Sequence, residues 1–263
     1  MMNILDFRKM KTEKRKISMV TCYDHWSARI IAQTDIDCIL VGDSVAMVVH
    51  GYPSTLHATV EMMELHTRAV ARGAPDKFIV ADMPFPTFRR GIPAAMECVD
   101  RLMKAGAHAI KLEGVEGHED VVKNLVGSGV PVMGHLGLTP QSIHQLGGFR
   151  VQGREPQAVT NLKRDARALQ DLGAFSVVLE CVPAHVATEI TQDLSIPTIG
   201  IGAGRETDGQ VLVLQDLLGM NPSFKPKFVR HFLNGEEQLR NALKQYHAGV
   251  AAGSFPNSQE SYT

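Results

Sequence analysis

The chain has 263 residues, 44% of them hydrophobic and 21% charged, with 27 Lys+Arg against 28 Asp+Glu. This composition excludes bulk disorder and collagen-like or low-complexity structure. A formal net charge of −1 provides no field to draw the chain to nucleic acid or to an anionic membrane.

Short apolar runs recur along the sequence, each followed by a turn and a helix-length stretch. The expected strands are Ile17–Thr21, Cys38–Val41, 78–81, 109–112, 130–133, 176–179, Thr198–Ile201 and 210–214. Runs such as CILV, FIVA, SVVL and VLVL are apolar on both alternating faces, as parallel strands covered on both sides must be. Helices are expected at 60–72 with Gly73 as the C-cap, at 93–104 opening on a proline, at 155–172 before Gly173, and at 227–245. Eight such alternations without a linker predict an α/β fold, a single (β/α)8 barrel over residues 1–250. A doubly wound sheet is the competing arrangement. Residues 251–263 are small and polar and read as a tail.

Nothing in the chain resembles a run of about 18 apolar residues. The start, MMNILDFRKMKTEKRK, has charges throughout and lacks the apolar core of a secretory signal. Cys22, Cys38, Cys98 and Cys181 have no zinc-like or CxxC spacing. The expectation is a cytoplasmic protein acting on small molecules, without nucleic-acid or membrane partners.

In a barrel, residues at the strand ends crowd onto the C-terminal mouth, where barrel enzymes hold their sites. Asp43, Asp82 and Glu113 follow or end the second, third and fourth strands. Three carboxylates at one mouth repel unless a cation lies between them, and oxygen-only donors favour a hard cation such as Mg²⁺. The alternative is that each acid caps the following helix. Lys111 shares a strand face with Glu113. It can hold a substrate carboxylate or enolate oxygen, form a Schiff base, or pair with Glu113 or Asp82. His135 reads as an acid/base group, a substrate donor or a hydrogen-bonded mouth histidine. Glu180 ends an apolar run, where desolvation favours proton uptake, so it suits removal of a carbon-bound proton. It stands on strand six, across the barrel from strands two to four. Its alternative is an N-terminal acid of the helix after Pro183. The GIGAG segment at 200–204 is either a phosphate cradle or a place of close backbone approach.

The strings VGDS (41–44), HTRAVARGAP (66–75), ADMPF (81–85), KLEG (111–114), GHLGLTPQS (134–142), LGGFRVQGR (146–154), LECVP (179–183) and IPTIGIGAG (196–204) resemble the ketopantoate hydroxymethyltransferase family. The resemblance runs from the first strand to the last helix. It implies a TIM barrel of the phosphoenolpyruvate/pyruvate type. The activity it implies is transfer of a one-carbon unit from 5,10-methylenetetrahydrofolate to α-ketoisovalerate, giving ketopantoate on the way to pantothenate. It implies Mg²⁺, or another divalent metal, on Asp43, Asp82 and Glu113. The ketoacid is then bound by Asp43, Ser44, Asp82 and Lys111, and Glu180 accepts the proton. It also implies a homo-oligomer, a homodecamer. The chain departs from the family pattern at Ala46, Pro53, His57, Val115 and Gln215, none of which removes a group assigned above. No motif marks the folate site. A Mg²⁺-dependent lyase of the isocitrate-lyase type would call for a cysteine in a charged mobile loop, which the sequence does not offer. A barrel kept as a scaffold would call for loss of a mouth residue, and all are present.

Overall fold

The computed structural model describes residues 2–222 and 225–262. The chain forms two compact units, 1–212 and 213–263. The first contains a closed barrel of eight parallel strands in the order of the sequence. These are β1 (Ile17–Thr21), β2 (Cys38–Val41), β3 (Phe78–Asp82), β4 (Ala109–Glu113), β5 (Val132–Gly137), β6 (Ser176–Glu180), β7 (Thr198–Ile201) and β8 (Gly209–Leu212). Its helices are α1 (Ile4–Thr12), α2 (His25–Ala32), α3 (Val45–Val48), α4 (Val60–Gly73), α5 (Ile92–Lys104), α6 (Glu119–Gly127), α7 (Ile143–Leu146), α8 (Pro156–Asp171) and α9 (Ala184–Asp193). The second unit holds α10 (Leu214–Leu217) and α11 (Gly235–Ala251). The division falls at residue 212, where the last strand ends. Closure of the sheet disposes of the doubly wound alternative. No helix among the described residues is long and apolar enough to cross a membrane.

Alternation along the strands fills the barrel in layers. Ile17, Met19, Cys38, Leu40, Phe78, Val80, Ala109, Met133, Val178, Ile199 and Val211 form one buried cluster with Phe7 and Met10 of α1. Phe7 lies edge-on to Phe78 and Phe175, with ring centroids 5.3 and 5.1 Å apart. The apolar face of α1 thereby closes one end of the barrel. Its N-terminus is held by a capping box, in which Asn3 accepts from the backbone and Asp6 reaches back to the Asn3 amide. The opposite faces of β5 and β6 pack outward through Leu136, Val177 and Leu179 against Leu162, Ala166 and Leu169 of α8 and Val186 and Ile190 of α9.

Several element ends differ from the sequence expectation, and most of the differences matter for the site. Strands β3, β4 and β6 each run one residue further, taking in Asp82, Glu113 and Glu180. Strand β5 begins and ends later than expected and so includes His135. Gly73 is the last residue of α4 rather than its cap. A side chain there would bring a Cβ within 2.5 Å of the His25 carbonyl and 2.7 Å of Ala28 Cβ. The glycine therefore permits close packing of α4 on α2. The final helix starts at Gly235, not 227, with Glu236 and Glu237 in its first turn, where acids suit the helix dipole.

Candidate active site

The mouth residues are the top layer of the same interior. Asp82 shares its strand face with Phe78 and Val80, Lys111 and Glu113 with Ala109, His135 with Met133, and Glu180 with Val178. The ladder sets Asp82 opposite Lys111, Glu113 opposite His135 and Gly137 opposite Glu180. The sequence-predicted residues are therefore brought together on four adjoining strands. Asp43 and Ser44 join them from the turn after β2.

Contacts within this layer are dense. Lys111 Nζ lies 2.9 Å from Asp82 Oδ1, and the Asp43 amide donates to Asp82 Oδ2 at 3.0 Å. His135 Nδ1 lies 3.5 Å from Glu113 Oε1, and its Nε2 lies 3.2 Å from Glu180 Oε2. The His135 Nδ1 also lies 3.3 Å from Lys111 Nζ. Glu180 is thus not isolated across the barrel from the other acids: a single imidazole joins it to Glu113. Ser44 Oγ lies 2.8 Å from the hydroxyl of the buried Tyr23.

None of the three acids caps a helix. That role falls to Asp24, whose carboxylate accepts from the Ser27 amide at the start of α2. The helix after Glu180 starts behind Pro183, and Glu180 turns to His135 instead. Glycines 200 and 204 meet close neighbours: a Cβ at Gly200 would lie 2.6 Å from Thr207 Oγ1, and one at Gly204 2.6 Å from Ala184 Cβ. These contacts support close backbone approach as the reason for Gly200 and Gly204 in the GIGAG segment.

Gln141 is a central residue that sequence reasoning missed. Its side-chain Nε2 donates to Asp43 Oδ2 at 2.8 Å and to the Met83 carbonyl at 3.0 Å. Its backbone N–H donates to Glu113 Oε2 at 3.0 Å. It therefore spans two of the predicted metal ligands. The signal lay within the string GHLGLTPQS, but nothing about a glutamine in a loop after β5 distinguishes it until the loop folds over the mouth.

The electrostatics follow from burial. Asp43, Asp82, Glu113, Lys111 and His135 are all 5% exposed or less. Burial and the neighbouring Asp82 and Glu113 charges hold the Asp43 carboxyl well above its usual range. Burial works against the Lys111 charge, but Asp82, Glu113 and Asp43 outweigh it and raise the ammonium above its ordinary value. A lysine held so firmly protonated is a poor Schiff-base nucleophile, whereas its charge is compatible both with the ion pair to Asp82 and with holding a substrate oxyanion. Burial and the Lys111 charge push the His135 imidazole down, but its bonds to Glu113 and Glu180 win and place it at about 9. The thiols are pushed up by burial, to about 11 for Cys98 and Cys181, which leaves no activated cysteine at the mouth.

Four carboxylates here face two cationic side chains, and the donors beyond the imidazole are all oxygen. That donor set fits a hard divalent cation. As they stand, no three His, Cys, Asp or Glu side chains among the described residues are grouped to hold a metal ion. Asp43 is engaged by Gln141, Asp82 by Lys111, and Glu113 by His135 and the Gln141 amide. Ligation by all three acids requires some of these bonds to open.

A family profile described as ketopantoate hydroxymethyltransferase matches residues 1–258. A 3-methyl-2-oxobutanoate hydroxymethyltransferase of Bdellovibrio bacteriovorus is 59% identical over 263 residues, covering 100% of both chains. One of the same description from Coxiella burnetii is 57% identical over 257 residues, covering 97% of each. Among solved structures, a 2,3-dimethylmalate lyase of the PEP mutase/isocitrate lyase superfamily superposes with a TM-score of 0.60 at 16% identity. It covers 99% of this chain and 91% of its own, and at that identity the likeness speaks for the barrel fold alone. The whole-length match to the family profile and to relatives of this identity places the chain, as an enzyme, in the ketopantoate hydroxymethyltransferase family.

Proposed function

We propose that the enzyme moves a one-carbon unit from 5,10-methylenetetrahydrofolate to 3-methyl-2-oxobutanoate (α-ketoisovalerate), giving ketopantoate for pantothenate synthesis. The observation that carries this reading is the buried Asp43–Asp82–Glu113–Lys111 cluster joined to Glu180 through His135. The ketoacid has a carboxylate and a ketone to be gripped at one end and a C–H to be broken at the other. The mouth offers a charged cluster and a carboxylate in the same sense.

Asp43, Asp82 and Glu113 would hold Mg²⁺ or another divalent cation, which when bound draws electron density from the ketoacid oxygens and acidifies the neighbouring C–H. Ser44, set by the Tyr23 hydroxyl, and Lys111 bind and orient the ketoacid. Glu180 takes the proton from the carbon next to the ketone. The electron pair moves into the enolate, whose oxygen charge the Lys111 ammonium neutralises. His135 keeps Glu180 aimed and shares the proton it acquires. The enolate carbon then bonds to the folate-borne methylene as the bond of that carbon to N10 breaks, N10 taking up the proton that Glu180 removed. Water then displaces N5 from the same carbon, leaving its hydroxyl there and its other proton on N5, and tetrahydrofolate departs. Burial of the cluster excludes bulk water while the carbanionic carbon exists.

The reading also includes a cytoplasmic homo-oligomer, a homodecamer. Helix α11 supports association: Leu239, Leu243, Tyr246 and Val250 follow a 4-3-4 spacing and are all at least 48% exposed. Such a seam is suited to pairing with a second copy. Light scattering at working concentration checks it, and a lone monomer would refute it. The activity is tested by folate-dependent ketopantoate formation with and without exhaustive chelation. Activity unaffected by chelation would sink the metal assignment, and absence of ketopantoate would sink the reaction.

A further inference from the structure

Away from the carboxylate cluster, two histidines meet at the end of α3. His50 follows that helix and His66 lies on α4. Their rings are edge to face, with centroids 5.1 Å apart and planes at 80°. Their Nε2 atoms are 2.9 Å apart. On its other side, His66 Nδ1 sits within hydrogen-bond reach of the Tyr23 carbonyl oxygen. A carbonyl can only accept, so His66 Nδ1 carries the ring proton and its Nε2 presents a lone pair towards His50. This is the arrangement of a metal-ligating histidine, in which a backbone carbonyl holds the outer nitrogen and fixes the tautomer. His50 is exposed, so moving its own proton to Nδ1 costs little and turns a second lone pair to the same point.

We propose that His50 and His66 form a metal site for a borderline cation of the Zn²⁺, Ni²⁺ or Cu²⁺ class, tying the exit of α3 to α4. Imidazole selects such cations over Mg²⁺, whereas the oxygen-rich barrel mouth selects the reverse. Two Zn–N bonds of about 2.0–2.1 Å at a tetrahedral angle separate the nitrogens by about 3.3 Å. The nitrogens therefore need to part by about 0.4 Å, and because the Nε2 atoms now point at one another each ring must also tilt to aim its lone pair at a shared ion. Water completes the shell on the exposed side. With two protein ligands the site is open and readily exchanged, unlike a closed structural zinc site.

The test is a Zn²⁺ titration of the full chain in saturating Mg²⁺, read by competition with a chromophoric chelator and by thermal unfolding. Bound metal raises the melting temperature by mass action. In His50→Leu the tightest Zn²⁺ site is expected to weaken at least tenfold and the Zn²⁺-induced rise to vanish. Asp43→Asn, altered only at the barrel mouth, is expected to retain both. Ni²⁺ or Cu²⁺ should selectively broaden the imidazole resonances of His50 and His66. Zn²⁺ affinity unchanged in His50→Leu overturns the proposal. So does loss of the tight site in Asp43→Asn, which would assign it to the carboxylates, and so does absence of any Zn²⁺ binding to the unaltered chain.

Discussion

The two ends of the barrel are equally dry and chemically opposite. At one end Phe7 is 0% exposed among Ile17, Phe78 and other apolar side chains; at the other, Glu113 is 2% exposed beside Lys111, His135 and Asp43. The same strands pass through both. Two steps along β4, the interior changes from Ala109 to Lys111, and along β3 from Val80 to Asp82. Burial at the closed end gains the transfer energy of hydrocarbon. Burial at the mouth desolvates charges, a cost that neighbours outweigh at Lys111 and His135 but not at Asp43. One end therefore serves stability and the other holds a charged site that includes a destabilised carboxylate, Asp43, so substitutions at the two ends should separate folding from chemistry.

The largest effect is expected at Glu180. Glu180→Gln keeps the shape and removes the base, which should lower the rate by about 10²–10⁴. Exchange of the ketoacid C–H for deuterium, followed by NMR in deuterated water, isolates the step. Exchange as fast as in the unaltered enzyme would pass the role to another mouth group, with His135 the first candidate. Phe7→Ala should do the reverse. It opens a cavity at the closed end and is expected to cost about 3–5 kcal/mol of stability. Urea unfolding reads that loss, and the turnover of the folded fraction should remain unchanged. A rate loss as great as that of Glu180→Gln would mean that the two ends are coupled.

Gln141→Ala tests how the mouth holds its acids. Removing the side-chain amide frees Asp43 Oδ2 and the Met83 carbonyl, while Glu113 keeps its backbone donor at position 141 and its contact with His135. Outer-shell losses of this kind commonly weaken metal binding about 10–100-fold. Isothermal titration with Mg²⁺ measures it, and unchanged affinity would show that the contact is incidental.

Asp43→Asn should be more stable than the parent protein in the presence of chelator. Asp43 has a raised folded pKa, so the folded state binds that proton more tightly than the unfolded chain does. Its contribution is favourable at low pH and is lost as pH rises through the raised value, leaving a charged, repelled carboxylate at neutrality. The neutral amide removes that repulsion. A gain of about 1 kcal/mol corresponds to about 2–4 °C in melting temperature for a chain of this size. A lower melting temperature in chelator would show that the carboxylate is adequately paired without metal. The smallest effect is a titration. In the metal-free enzyme, His135 should titrate at about 9, well above the ordinary value of about 6.5. Its contribution to stability is then complete below about 6.5 and lost as pH rises through about 9. An imidazole NMR titration midpoint near 6.5 would mean that Glu113 and Glu180 do not hold its charge.

Much of the molecule was legible in one dimension. Eight apolar runs covered on both faces required a sheet with helices outside it, because each element must bury its apolar face within a few residues of chain, and their number favoured the barrel over the doubly wound sheet that only closure excluded. The acids at the strand ends, Lys111 two residues before Glu113, and Glu180 after SVVL were visible because charge next to buried strand is rare and therefore conspicuous. The helix over 227–245 was misplaced because hydrophobic spacing alone does not mark where Asn234 and Gly235 let the last helix begin. What only the tertiary structure decided was which of these groups touch. The register of β4 against β5 and of β5 against β6 set His135 between Glu113 and Glu180, and the loop after β5 brought Gln141 across 98 residues of sequence to Asp43. Periodicity states which face a side chain shares, but contact between faces depends on ladder register and loop closure, which are fixed only when all eight strands pair at once.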